Sequence, residues 1–218
     1  MRNRSEIGAS IADRVWQQLR LEIIRGVLPP GTRLLELELA ESMGVSQGTI
    51  REALKRLETD ALVERKARTA SYVTPILLDE MHELFGIRSV VESAAIRRTA
   101  RHITAQQCAE LAEMVDLMRM AAAKSDLALL VDYDLQFHQR ICEWAASSTL
   151  LRSWMPLYSQ IQRFIAQTHP HYFSDLKEIA DTHDAVVAVL RQNNPDEAAK
   201  VIQEHIMLIW SLIGSEPR

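Results

Sequence analysis

Apolar residues recur along the first third of the chain at spacings that predict three helices followed by two short strands. Ile11, Val15, Leu19, Ile23 and Ile24 fall in phase on a helix from about Ser10 to Arg25, which Gly26 and the Pro29-Pro30-Gly31 turn bring to an end. Leu39, Ala40 and Met43 share one face of a shorter second helix, and Gly44 can leave that helix in a left-handed conformation because it has no Cβ to clash. Ser46 is a natural N-cap for a third helix whose apolar stripe is Ile50, Ala53, Leu54 and Leu57, with Gln47, Thr49, Arg51, Lys55 and Arg56 on the other faces. The β-type runs LVER and SYV then flank a basic loop from Lys66 to Ala70, as a hairpin wing would. Helix, Gly-Val-Ser turn, basic helix and basic hairpin, in that order, read as a winged helix-turn-helix.

From Asp79 onward strand signals vanish and the period is helical throughout. Six helices are expected: Asp79 to Arg101, Thr104 to Ala123, Asp126 to Ala145, Ser148 to Gln167, Asp175 to Gln192 and Asp196 to Ile213, with Asp126 and Asp196 as N-caps. The fold class is therefore mainly α, an N-terminal winged helix-turn-helix over residues 10–75 followed by an all-α antiparallel helical bundle over residues 79–214. Residues 1–9 are expected to be a flexible N-terminus, and Thr74-Pro75 to be the seam between the domains.

Charge sharpens the division. The chain carries a net −4, yet residues 1–75 hold 12 Lys or Arg against 10 Asp or Glu and the remainder 13 against 19, so the first part is the basic one. No apolar run approaches the roughly 18 residues of a membrane span, and the N-terminus lacks the apolar stretch of a signal peptide, so the expected location is the cytoplasm. Cys108 and Cys142 are too few and too widely spaced for a disulfide framework, and buried reduced thiols are expected.

The candidate chemistry of the bundle lies in polar residues on apolar faces. Asp134 and His138, spaced i, i+4, stack on the helix face that carries Leu127, Leu130 and Ile141. His183 is in phase with Ile179, Val186, Val187 and Leu190, and His205 with Val201, Leu208 and Leu212. A single inward histidine is most often a satisfied core residue. A carboxylate and three imidazoles converging without partners would cost several kcal/mol, whereas one divalent cation satisfies all four. Three nitrogens and an oxygen suit Zn²⁺, Ni²⁺ or another borderline transition metal. His82, His102, His169 and His171 lie near helix ends or in a turn, where solvation is expected. Arg88 is in phase with Leu84, Val91 and Ala95, with Glu92 four residues on as its partner. The pair reads equally as a brace within the bundle or as the receiver of a small organic acid through Arg88, an effector such as a sugar acid or a central metabolite. A metalloenzyme is the competing class, but no separate general base or oxyanion donor accompanies the four ligands.

The run GVLPPGTRLLELELAESMGVSQGTIREALKRLETDALVER resembles the winged domain of the GntR transcriptional regulators, and its REAL-x-x-L core spans Arg51 to Leu57. The resemblance implies that Ser46, Gln47, Thr49 and Arg51 face DNA and that the wing around Arg68 approaches the minor groove. Arg51 and Lys55 are suited to phosphates. Gln47 and Leu37 stand where that family often has Arg, and Ala70 where it usually has Gly. The remainder resembles the FCD effector domain of the FadR branch, in its shorter VanR-like form, through DYDLQFH, DTHDAVVAVL and AAKVIQEHIMLI. That resemblance implies a metal on Asp134, His138, His183 and His205, with Arg88 at the effector. The expected whole is a homodimeric regulator, a repressor more readily than an activator, bound to a palindromic operator in double-stranded DNA.

Overall fold

The structure, a computed structural model, describes residues 10–66 and 70–214. It divides into two compact units, Met1–Ile76 and Leu77–Arg218.

In the first unit, helix α1 spans Ile11–Ile24 and opens on a capping box in which the Ser10 side chain accepts from Asp13 N–H and Asp13 answers with its carboxylate. Helix α2 (Glu36–Met43) ends on Gly44 at φ 64°, and α3 (Gln47–Thr59) begins on Ser46, whose hydroxyl accepts from the Thr49 amide. Leu19, Ile23, Ile50, Ala53, Leu54 and Leu57 close the core between α1 and α3. Trp16 Nε1 donates to Asp60 at 2.9 Å and Arg56 pairs with Asp13, tying the two helices across their polar edges.

The sheet contains a strand that local pattern did not announce. Strands β2 (Val63–Lys66) and β3 (Ala70–Val73) form the expected wing hairpin, and β1 (Arg33–Leu34) adds antiparallel to β3, giving the order β1-β3-β2. Two residues are too short a run to display a period. The strand is set by Gly31, at φ 81°, whose N–H donates to Val73 O while Val73 N–H donates to Thr32 O. The wing-tip residue Arg68 and the N-terminal stretch 1–9 lie outside the described residues.

The second unit is a helical bundle with eight helices among the described residues, where the period alone suggested six. Helices α4 (Leu78–Thr99), α5 (Ala105–Ala123) and α6 (Leu127–Trp144) match expectation, and Asp126 caps α6 through Leu129 N–H. The fourth expected helix is divided into α7 (Ser148–Trp154) and α8 (Tyr158–Tyr172) by a 3-10 turn at Met155–Leu157, because Pro156 has no N–H for the α-helical ladder. Helix α8 runs past Gln167 through Pro170, whose missing amide forfeits a single bond in the last turn. The fifth is broken at Thr182-His183 into α9 (Leu176–Asp181) and α10 (Asp184–Leu190). The last, α11 (Pro195–Ile213), is capped by Asn194 rather than Asp196: Asn194 accepts from Glu197 N–H, Pro195 takes the first helical position, and Asp196 falls within the first turn. Helices α4 and α11 pack together more extensively than any other pair. No helix among the described residues is long and apolar enough to cross a membrane.

Candidate DNA-reading face and metal centre

Helix α3 buries one stripe and exposes the other, so Gln47, Arg51 and Lys55, each four residues apart, present to the outside. Ser46 and Thr49 are engaged with each other: the Ser46 hydroxyl accepts from Thr49 N–H at 3.2 Å and lies 2.9 Å from the Thr49 hydroxyl. Arg51 is not a free cation. Its Nη2 and Nε donate to Glu36 at 2.8 and 3.3 Å, and Arg65 of β2 donates to the same carboxylate at 3.1 Å. The hydrogen bond from Arg51 leads the causes that hold the Glu36 carboxyl below its usual value. Glu36, Leu37, Gln47, Arg51 and Arg65 line a cleft of about 430 Å³ that Ala70 and Ser71 of the wing complete.

In the bundle three of the four residues singled out by phase converge, and the fourth, Asp134, lies against one of them. The ring donor atoms of His138, His183 and His205 lie within 4.8 Å of one another, and Asp134 Oδ2 is 3.2 Å from His183 Nε2. Asp134, His138 and His183 are buried and His205 half-buried. Hydrogen bonds at the far side of the rings fix which nitrogens face inward. His183 Nδ1 lies 3.0 Å from Ile179 O, a pure acceptor that takes its proton, and Nε2 faces Asp134 Oδ2. His138 Nδ1 lies 2.5 Å from Glu92 Oε2, so its Nε2 lone pair faces His205 Nε2 at 3.2 Å. Asp134 Oδ1, His183 Nε2 and His205 Nδ1 are enclosed without a hydrogen-bond partner. Imidazole nitrogens and a carboxylate oxygen gathered in a buried site, several of them without a hydrogen-bond partner, form an arrangement that a cation fits.

Glu92 is the residue sequence reasoning undervalued. Its buried carboxylate accepts from Arg88 Nε at 2.7 Å, as the i, i+4 spacing implied, but also from His138 Nδ1 and from Trp154 Nε1 at 2.8 Å. Burial alone would raise its pKa; His138 and Arg88 outweigh that and hold it at about 2. An ionised carboxylate behind a histidine fixes the tautomer and orients the ring, as outer partners do at metal sites. For Asp134 too, burial is overcome, here by His183 and then His138, and the carboxyl stays below its usual range. Burial holds His138 and His205 below the ordinary histidine value, the neutral form a ligand requires.

His169 corrects an expectation. The sequence leads one to expect solvation near a helix end, but α8 continues past it and it is 8% exposed, with Nδ1 enclosed and unpartnered. Burial lowers its pKa from 6.5 to about 4. An imidazole held neutral in the fold is protonated first in the unfolded chain. Stability present above pH 6.5 is therefore lost as pH falls toward 4, on the order of 3 kcal/mol from this residue at about 1.4 kcal/mol per unit. Urea midpoints of chelator-treated protein should fall between pH 7 and pH 4.5, and by less in His169→Phe; parallel profiles would refute this. His82, His102 and His171 are exposed.

Arg88, Asp134, His138, His169 and His205 border one cavity of about 30 Å³, room for about two waters. An organic acid of any length does not enter it without displacement of a wall.

A winged helix-turn-helix with an exposed basic recognition helix, joined to a helical bundle holding an enclosed polar cluster, defines a DNA-binding transcription regulator. Residues 11–73 match the bacterial regulatory proteins of the gntR family and residues 83–207 match the FCD domain, and the chain belongs to the GntR family. It is 26% identical over 201 residues to the gluconate operon transcriptional repressor of Bacillus licheniformis, covering 90% of this chain and 82% of that protein. It is 25% identical over 199 residues to the transcriptional repressor RspR of Escherichia coli K12, covering 91% and 87%. Among solved structures, E. coli McbR/YncC shares the fold with a TM-score of 0.74 over 93% of this chain and 98% of that one, at 22% identity. The family is one of transcription regulators, not enzymes, which sets aside the catalytic alternative for the cluster.

Proposed function

We propose that the chain is a homodimeric repressor that reads a palindromic operator with two copies of α3. In this reading its bundle holds a divalent transition metal, Zn²⁺ or Ni²⁺, on Asp134, His138, His183 and His205, and Arg88 receives a small organic acid beside it. The observation that carries the ligand half is the convergence of the His138, His183 and His205 ring nitrogens within 4.8 Å of one another, with Asp134 Oδ2 3.2 Å from His183 Nε2. A bound metal would supply an electrophilic position for a carboxylate oxygen, and Arg88, whose Nε is held by Glu92, would direct its terminal nitrogens at the same group. The small cavity supports a switch: an acid that enters only when a wall moves binds one bundle arrangement better than another, and that difference is what can change DNA affinity. The relatives named as repressors support the sign.

Recovery and sequencing of genomic fragments bound by the purified protein tests the DNA half. A short enriched palindrome is expected; only random fragments, at low salt and with zinc present, would refute it. Gln47→Arg should move one base preference per half-site from adenine toward guanine, a change of about 1–3 kcal/mol in discrimination, because glutamine pairs with adenine N6 and N7 and arginine with guanine O6 and N7. Unaltered preference would place Gln47 outside the groove. Equilibrium dialysis tests the metal half, with one tightly held zinc per chain expected.

A further inference from the structure

Two arginines from different elements meet on one carboxylate of the first unit. Glu36 opens α2, Arg51 lies on α3 and Arg65 on strand β2 of the wing. Arg51 Nε and Arg65 Nη2 donate to the same atom, Glu36 Oε1, at 3.3 and 3.1 Å, and Arg51 Nη2 donates to Oε2 at 2.8 Å. The Glu36 side chain is 25% exposed against 59% for Arg51 and 51% for Arg65, so the anion lies beneath and the cations outside. Arg51, Arg65 and Ser71 form the wall shared by the cleft of about 430 Å³ and a second of about 250 Å³, which Lys55 also lines.

Two guanidinium groups brought to a single oxygen repel each other unless an anion joins them. Glu36 is that anion, and the trio keeps one positive charge in excess. Arg51 Nη1 and Arg65 Nε and Nη1 are left without a partner among the described residues. Their N–H groups are planar, outward and matched to phosphate oxygens. We propose that Glu36 is a positioning residue that holds Arg51 of the recognition helix and Arg65 of the wing together as a two-arginine clamp for one DNA phosphate. The proposal rests on the reading of the first unit as DNA-binding, and goes beyond it by making Arg65 a contact and Glu36 its support. General electrostatics gives the opposite sign for Glu36: an anion on a DNA-binding face repels the backbone, and its removal should tighten binding.

The test is fluorescence-anisotropy titration of a synthetic duplex of random sequence with the full-length, zinc-loaded protein over a range of salt, because a phosphate contact is independent of sequence. Arg65→Ala should weaken binding about tenfold and reduce the slope of log affinity against log salt by about one per chain bound, since the Arg51 left behind is neutralised by Glu36. Glu36→Gln should also weaken binding, by at least about threefold, although it removes an anion; adding Arg65→Ala to it should cost less than Arg65→Ala alone. The urea midpoints of the variants should match that of the wild type, because an ion pair between exposed side chains contributes little to the fold. Tighter or unchanged binding by Glu36→Gln overturns the proposal, as does full additivity of the two substitutions. Weaker binding with a parallel fall in the urea midpoint would make the trio a brace of the fold and overturn it too. If the wild type binds no duplex even at low salt, the DNA-binding reading itself fails and the clamp with it; if the wild type binds and Arg65→Ala binds equally well, only the clamp is lost.

Discussion

Glu92→Ala is expected to remove about 3–5 kcal/mol from the stability of the bundle, because it leaves a buried guanidinium, an imidazole N–H and an indole N–H facing an empty space. The same substitution should weaken zinc binding by about 10–100-fold, since His138 loses the carboxylate that orients its ring. Urea unfolding with the metal chelated measures the first effect, and competition with a chromophoric chelator measures the second. Glu92→Gln, which preserves the shape and one acceptor, should fall between wild type and alanine in both. A stability loss under about 1 kcal/mol would mean that water reaches the three donors and that the network is less closed than its geometry indicates.

Asp134→Asn is expected to move stability and metal affinity in opposite directions. Asp134 Oδ2 lies 3.2 Å from His183 Nε2, and its other oxygen is enclosed without a partner. An amide offers that nitrogen an N–H donor and removes a buried charge, so metal-free protein should gain about 1–3 kcal/mol. Zinc affinity should fall by more than the roughly 10–100-fold that outer partners contribute, because a ligand has been lost. This crossing separates a site built for a cation from a structural ion pair. Were Asp134 and a protonated His183 simply braced together, the metal-free protein would be destabilised by Asn and the metal affinity left alone. Functional sites are where such local conflicts are retained at a cost in stability.

How far the sequence was legible depended on whether the signal was local. The Ser46 cap, the Gly44 turn and the stripe from Ile50 to Leu57 are properties of a few adjacent residues, and the structure has them where the spacing put them. Asp134, His138 and His205 stand out in the sequence because each is polar on a regular apolar face. His183 stands out by the same phase although the helix expected there is broken, since its neighbours Ile179, Val186 and Val187 are buried all the same. Glu92 as a hub was not legible, because two of its three donors come from residues 46 and 62 positions away. His169 was misplaced for a related reason: Pro170 is a strong local stop signal, and packing against Phe164 and Phe173 overrode it. The pairing of Arg51 with Glu36 is not legible locally, because Glu36 sits on the preceding helix, 15 residues back.

The extensive packing of α4 against α11 bears on the order in which the molecule can be made. A chain emerging from a ribosome completes α1 to β3 and their core while the bundle is still being synthesised, so the DNA-reading unit can fold early and independently. Helix α4 emerges next, with buried positions such as Phe85 and Ile96, but its main partner is the last helix to appear. Its apolar side stays uncovered through the translation of everything between, and that interval is when a nascent chain of this protein is most exposed to aggregation and most in need of a chaperone.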